Sequence, residues 1–352
     1  MQRSRVEVVA RAPGRVNLIG DHTDYTGGLC FPIAIDRWIE VAGRRDPGLD
    51  HVLLRSDREH SDAVVPLDVD EPATLDPEWA RYVGGVVAQL RPRVGFAGTV
   101  TTTVPAGAGL SSSAALEVAC ALALGADASD RVALARLCQA AEHAARRVQT
   151  GLLDQLASIC AVDGCALLLD CRALTFSTVP LPPGDTASWL VVSAGRRSLA
   201  ASGYGRRVEE LAIAEQRIGP LRDADPSDVA SISDPTIRAR ARHVVTENER
   251  VGEFARAIAA ADLDTAGALM TASHASLADD FDCSTPAIDE LCRRLRSTSG
   301  VHGVRITGGG WGGCVVALCD PGAADADAFQ AAWFVRPSAG AYITDGRDDL
   351  GD

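Results

Sequence analysis

The chain has 352 residues, 47% of them hydrophobic, a mean hydropathy of +0.05 and a formal net charge of −13. That much apolar material specifies a folded chain in one large or two medium domains, and the acidic balance excludes non-specific binding to nucleic acid. All 34 basic side chains are arginine, which excludes a Walker A lysine, a protein-kinase phosphate lysine and a lysine Schiff base.

No apolar run approaches the ~18 residues of a spanning helix, and "MQRSRVEVVARAPGR" lacks the apolar core of a secretory signal. A cytoplasmic protein is expected. The ten cysteines include no CxxC pair, and many lie in apolar runs such as "EVACALAL", so they read as buried, reduced thiols.

In chain order, "VEVVARAP" reads as a strand and leads into "GRVNLIGDHTDY", a stretch dense in polar groups: Arg15, Asp21, His22 and Asp24. A loop with an Asx-type turn would account for it, but acids and a histidine are also what a polyol site uses. "GLCFPIAIDRWIEVAGRR" continues as strand, and "VGFAGTVTTTVP" alternates as a half-buried strand should. "SSSAALEVACALALGA" reads as a buried helix that opens on a serine cluster. "DRVALARLCQAAEHAARRV" is amphipathic, and "GLLDQLASICAV" is a further helix. "GCALLLDC" is a strand. The Pro-rich "TVPLPPGDT" then marks a boundary near residue 180. Beyond it come a strand at "SWLVVSAG", a helix near "YGRRVEELAIAEQRI" and helical stretches over residues 234–277. A strand–glycine turn–strand follows at "VHGVRITGGGWGGCVVALCD", and "AAWFVRPSAGAYI" reads as a last strand. The class is α+β or mixed α/β in two lobes, residues 1–180 and 181–352.

Three stretches carry chemistry besides the polar one. In "VPAGAGLSSSAALEVA", Gly107 and Gly109 let backbone N–H groups approach an anion, and the following helix adds its positive end. Serine hydroxyls there can meet phosphate or a metal; the plainer reading is a flexible loop with a capping serine. In "GLLDQLAS", Asp154 sits among Leu152, Leu153 and Leu156, and Glu142 stands upstream in "QAAEHAA". An acid in so apolar a segment needs a partner or a task, though each also reads as a surface acid or structural ion pair. In "RITGGGWGGCVVAL", Gly308, Gly310 and Gly313 match G-x-G-x-x-G, but the residues that follow read as a strand rather than the helix a dinucleotide fingerprint requires.

Taken together, these stretches resemble the GHMP kinase superfamily and, within it, the galactokinases. "GRVNLIGDHTDYT", "GLSSSA" after "VPAGAG", "LDQ" at Leu153 to Gln155, "RRSLAASGYGRR" and "RITGGGWGGC" all stand in the family order and span nearly the whole chain. The resemblance implies a two-lobed fold, ribosomal S5-like at the N-terminus and ferredoxin-like at the C-terminus. It implies a sugar 1-kinase that uses ATP and Mg²⁺. Asp154 would orient or deprotonate the sugar's anomeric hydroxyl, and Arg15 would stand beside it to balance its charge and that of the transferring phosphoryl. Ser56, Gly107, Ala108, Gly109, Leu110, Ser111, Ser112 and Ser113 would bind ATP, and Ser113 with Glu142 would hold Mg²⁺. Asp21, His22, Asp24, Gly151 and Tyr204 would line the sugar pocket. The implied partners are a small-molecule sugar and ATP, without nucleic acid or membrane; the residues leave the oligomeric state open, with a monomer favoured.

One departure bears on the sugar. The family carries Glu where this chain has Asp21, near the sugar's 6-hydroxyl, so one methylene is missing there. Galactose is the default substrate, and a C6-extended galacto-configured sugar is the alternative. A non-catalytic sugar and ATP sensor is a remote third reading, because the serine motif, Arg15 and Asp154 are all intact.

Overall fold

A computed structural model of the chain describes residues 8–105, 107–147, 150–195 and 200–345. Strand β1 (Val8–Asn17) obeys the twofold alternation of a pleated strand: Val8, Ala10, Ala12 and Val16 enter the core, and Arg11 and Arg15 take the other face. After it come β2 (Leu29–Cys30), β3 (Pro32–Asp46), β4 (His51–Ser56), β5 (Ala63–Pro66), helix α1 (Ala80–Leu90) and β6 (Gly95–Thr102). Three helices follow, α2 (Ser112–Leu124), α3 (Arg131–Arg146) and α4 (Leu153–Cys160), then β7 (Cys165–Asp170), β8 (Thr175–Pro180) and β9 (Ser188–Ser193). The second half holds α5 (Ala200–Ile218), α6 (Pro226–Ser231), α7 (Pro235–Ala259), α8 (Leu263–Asp279) and α9 (Pro286–Arg296). It closes with β10 (Val301–Thr307), β11 (Cys314–Cys319), β12 (Ala332–Val335) and β13 (Tyr342–Asp345).

The strands form three sheets, in the orders β13-β1-β3-β6-β4-β5, β10-β11-β9-β12 and β2-β7-β8. All neighbours are antiparallel except β4 and β6. Helix α2 is the centre of the first lobe. Every residue from Ala114 to Leu124 is buried, as expected of a helix apolar on all sides, and its many alanines let β1, β3, α1, α3 and α4 crowd against it. Helices α8 and α9 cover β10 of the second sheet, and α7 packs on α8.

Two sequence readings need adjustment. The last strand divides: β12 pairs with β9, whereas β13 pairs with β1 in the first sheet. Pro337 cannot continue a ladder, and the crossing segment is tied to the first lobe by Ser338 N–H to Ala34 O at 3.0 Å and Gly340 N–H to Ala161 O at 2.9 Å. A division at residue 180 therefore leaves residues 337–345 with the wrong lobe. The second adjustment concerns Ser111, which precedes α2 with φ 57° and makes no side-chain capping bond; its hydroxyl is used elsewhere. The glycine turn after β10 does run directly into β11, with Thr307 opposite Cys314, which rules out a dinucleotide fingerprint there. No disulfide joins the ten cysteines, and all but Cys165 and Cys171 are buried. No helix among the described residues is long and apolar enough to cross a membrane.

Candidate active site

The polar stretch and the serine loop meet because β1 lets them. At Gly14 the β1–β3 register shifts, and the bare Cα admits the loop: a Cβ there would stand 2.7 Å from Leu110 O. Arg15 takes its position from the same contact. Its backbone N–H donates to Leu110 O at 3.2 Å, and its Nη1 donates to Gly109 O at 2.9 Å. The rest of the guanidinium faces Asp154, with Nε and Nη2 at 2.7 and 2.6 Å from Oδ1. Asp154 stands in the first turn of α4, where the helix dipole favours a negative charge. Its second oxygen, Oδ2, accepts from Ser111 Oγ at 2.5 Å. Arg15 is buried; the Asp154 side chain keeps 27% exposure, so the acid is the member of the pair that a substrate can reach.

The serine loop is fixed at several points. Gly107 and Gly109 have φ of 69° and 73°, Leu110 is buried, and Ala108 O accepts from Cys314 Sγ at 2.8 Å. Ser112 and Ser113 open α2. Ser113 Oγ donates to Glu142 Oε1 at 3.1 Å, so the two residues expected to hold a metal are already adjacent. Glu142 is buried, and Arg146, Thr150 and Gln155 also donate to it, at 3.3, 3.3 and 3.0 Å. Ser56, at the end of β4, pairs with Val100 on the strand that leads to the loop, but its Oγ accepts from Arg58 N–H rather than from a loop residue. The structure thus leaves Ser56 outside the central cluster.

Asp24, Gly151, His22 and Tyr204 come together on another side of the site. Asp24 leans over Gly151, where a Cβ would lie 1.7 Å from Asp24 Oδ2, so any side chain at 151 would displace the Asp24 carboxylate. Burial, and then the negative charges of Asp154 and Asp21, push the Asp24 carboxyl up to about 7. His22 adopts φ 66°, and its ring lies 4.3 Å from Phe281 and 5.6 Å from Tyr204 between centroids. Tyr25 and Trp311 complete an aromatic wall, with Tyr25 Oη 3.0 Å from His22 Nδ1. Of the segment "RRSLAASGYGRR", Arg196 to Leu199 lie outside the described residues.

Asp24 gives a first prediction. Its pKa is raised on folding, so its contribution to stability is present below pH ~4 and is lost as pH rises through about 7. Asp24→Asn should therefore stabilise the ligand-free protein at pH 8 by roughly 1–2 kcal/mol, the shift being discounted for the solvent that reaches the cleft. It should do little at pH 4. Urea midpoints at the two pH values measure this, and an equal effect at both would show that the Asp24 charge carries no strain.

Asp21 has partners of its own on the second half of the chain. Its Oδ2 is 2.6 Å from Arg305 Nη1, and its Oδ1 accepts from Gly308 N–H at 3.0 Å. The acid is paired with a fully buried arginine. Arg305 also reaches Ser273 Oγ at 3.1 Å, with Glu247 3.6 Å away. Helix α7 then holds the polar stretch from outside. Glu247 accepts from Gly20 N–H at 3.0 Å, Asn248 accepts from Leu29 N–H at 2.7 Å, and His243 Nε2 donates to Asp21 O at 3.1 Å. That last bond fixes the neutral histidine tautomer with Nδ1 left to accept from Ser276 Oγ, and burial lowers the His243 pKa in keeping. Burial opposes the Glu247 charge, but the charges around it, Arg250 and Arg305 among them, outweigh burial and hold its pKa down to about 2. Sequence reasoning missed Arg305, Glu247, His243 and Phe281. The available signal was charge inside apolar periodicity: "VRIT" in a buried strand and "HVVTEN" on a helix.

Comparisons with known proteins follow the same lines. Residues 2–45 match the model of the galactokinase galactose-binding signature, residues 81–161 that of the GHMP kinase N-terminal domain, and residues 254–334 that of the GHMP kinase C-terminal region. A Roseiflexus galactokinase is 42% identical over 335 residues, covering 89% of this chain and 83% of its own. The human galactokinase is 40% identical, with 90% and 85% covered. Among solved structures, Lactococcus lactis galactokinase complexed with galactose superposes with a TM-score of 0.86 at 30% identity, covering 96% of this chain and 95% of its own. Methanococcus jannaschii mevalonate kinase, at 18% identity and a TM-score of 0.68, shares the fold.

Proposed function

The chain belongs to the galactokinase family of the GHMP kinases, and we propose that its cleft transfers the γ-phosphoryl group of ATP to the anomeric hydroxyl of galactose. The observation that carries this reading is Arg15, which spans the phosphate loop at Gly109 O and the acid at Asp154. One cation thus stands between the place where the phosphates lie and the place where the acceptor hydroxyl is oriented.

Phosphoryl transfer needs in-line positioning and neutralisation of charge far more than covalent help. In our reading the anomeric hydroxyl donates to Asp154, whose exposed edge faces the cleft. As the hydroxyl oxygen bonds to the γ-phosphorus and the bond to the ADP oxygen breaks, Asp154 takes up the proton. Ser111 and Arg15 fix the carboxylate from its other sides, and Arg15 offsets the charge gathering on the phosphoryl oxygens. Gly107 to Ser113 wrap the phosphates, Asp24 and Gly151 meet the sugar's hydroxyls, and the rings of His22 and Tyr204 close the wall beside it.

A Mg²⁺ ion fits the chemistry of Ser113 and Glu142, a hydroxyl and a carboxylate held 3.1 Å apart. Mg²⁺ favours oxygen ligands and keeps positions for water and phosphate, so a site with two protein ligands suits it. When bound it would neutralise the polyphosphate. Ser113→Ala should raise the Mg²⁺ concentration for half-maximal rate by about tenfold; an unchanged metal requirement would remove Ser113 from this role. The absence of disulfides and the use of ATP support a cytoplasmic location.

One observation supports a second substrate. The acid that the family sets near the 6-hydroxyl is Asp21 here, and Arg305 and Gly308 occupy it, which leaves room for a C6-extended galacto-configured sugar. The deciding experiment is a panel of galactose, its epimers and C6-extended aldoses with ATP, with the phosphate located on each product by NMR. Phosphate on C1 of galactose is the expected result. Phosphate at another carbon, or no turnover with galactose, would overturn the proposal.

A further inference from the structure

Strands β2 and β7 bring two thiols into contact. Cys30, in β2, is buried, whereas Cys171, in the turn that follows β7, is partly exposed. Their sulfurs stand 3.7 Å apart. The register explains the contact. Cys30 pairs with Leu169, and Cys171 N–H donates to Gly28 O at 3.0 Å, so the two cysteines are diagonal neighbours on one face of the ladder. Cys30 Sγ also lies 3.3 Å from Thr23 Oγ1. Thr23 ties the polar stretch together: its hydroxyl lies 2.9 Å from Gly20 O and 2.7 Å from Leu29 O, and its carbonyl accepts from Gly28 N–H at 2.8 Å. Its neighbours in sequence are His22 and Asp24.

We propose that Cys30 and Cys171 form a reversible oxidation site, at which hydrogen peroxide joins the two thiols as a disulfide and the new bond distorts the loop that carries His22 and Asp24. Cys171 is the sulfur that a small oxidant can reach, because Cys30 is shielded by burial. The Cys171 sulfur attacks the peroxide O–O bond, becomes a sulfenic acid and releases one water. The Cys30 sulfur then attacks the sulfenic sulfur. The S–O bond breaks, the S–S bond forms, and the hydroxyl leaves with the Cys30 proton as a second water. Two thiols thus lose two electrons, and one peroxide is reduced to two waters. The sulfurs must close from 3.7 Å to about 2 Å. Diagonal positions in a sheet lie roughly 7–8 Å apart, just beyond the usual span of a disulfide. Bond formation therefore draws Cys30 away from Thr23 and pulls β2 toward the turn after β7. A disulfide closed under strain is readily reduced by thiols, which makes the site reversible. The effect on the sugar rests on the reading of His22 and Asp24 as sugar contacts, but the bond can be tested without it.

The test is to treat the native protein with hydrogen peroxide, alkylate the remaining thiols and map the peptides. A cross-linked pair containing Cys30 and Cys171, released by dithiothreitol, is the expected result. Cys165, the other partly exposed thiol, is the internal control for exposure alone. Cys171 carried to sulfinic acid while Cys30 stays free to be alkylated after unfolding, or Cys171 joined to any other thiol, would overturn the proposal. Kinetics read the consequence. The oxidised protein should show a galactose KM raised several-fold at an unchanged ATP KM, and dithiothreitol should restore it. Cys171→Ser should keep the rate of the reduced protein and lose the response to peroxide. A cross-linked protein with an unchanged galactose KM, or the same response in Cys171→Ser, would show that the bond does not act on the loop and would overturn the proposal. If the reduced protein did not turn over galactose at all, the proposed function would fall, and the peptide map would still decide the Cys30–Cys171 bond.

Discussion

Asp154→Asn is expected to lower kcat by about a thousandfold or more while the protein stays folded. The replacement is isosteric. Its amide oxygen can still accept from Arg15, and its amide N–H can donate to Ser111 Oγ once that hydroxyl rotates, so the 2.7 and 2.5 Å contacts need little rearrangement. What is lost is the ability to take a proton from the acceptor hydroxyl, together with the counter-charge of Arg15. Loss of a positioned base typically costs 10²–10⁴-fold in rate. The stability cost should stay near 1–2 kcal/mol, below that of a fully buried pair, because solvent reaches the Asp154 side and Gly109 O still engages Arg15. Single-turnover kinetics with ATP and galactose, alongside a thermal melt, measure both quantities. A near-wild-type rate in a folded variant would refute the mechanism. A fall in the galactose KM of the same size as the fall in kcat would instead assign Asp154 to ground-state strain.

The parts of the site that were legible from sequence are those that local chemistry dictates. Glycines before a serine cluster and a helix start describe a phosphate loop by themselves, and Asp154 among leucines asks for a partner. The convergence of Arg15 on Asp154, and of Ser113 on Glu142, came from motif order and is realised at 2.7 and 3.1 Å. Illegible were the bonds that join distant segments. Nothing local to "LIGDHTDY" says that Asp21 will spend its carboxylate on Arg305, or that Gly20 N–H needs Glu247. The same holds for β13, a short exposed segment whose place beside β1 is set by the edge it covers and not by its own composition.

Arg305→Met should cost about 3–5 kcal/mol of stability, the range for breaking a buried ion pair on one side only. Arg305 is the largest fully buried side chain among the described residues, and methionine fills much of its volume without its charge. Asp21 would keep only the Gly308 N–H, and Glu247 would keep Arg250, Ser273 and Gly20. The burden therefore falls mostly on Asp21, which predicts the pattern of a double-mutant cycle. Asp21→Asn on the Arg305→Met background should recover stability, although the same change alone should destabilise, since it leaves the arginine buried without its 2.6 Å partner. Urea midpoints for the four proteins measure the coupling. Additive effects would show that Arg305 is held by Ser273 and the Asn17 carbonyl instead. The functional consequence follows from the backbone. Residues 17–21 are tethered to β10 by Thr307 Oγ1 on Asn17 O at 2.8 Å and by the Asp21 pair. Loosening the second tether frees His22 and Asp24 but leaves Arg15, which is fixed to the phosphate loop. The galactose KM should then rise several-fold at an unchanged ATP KM, and a parallel rise in both would place the damage in the fold as a whole.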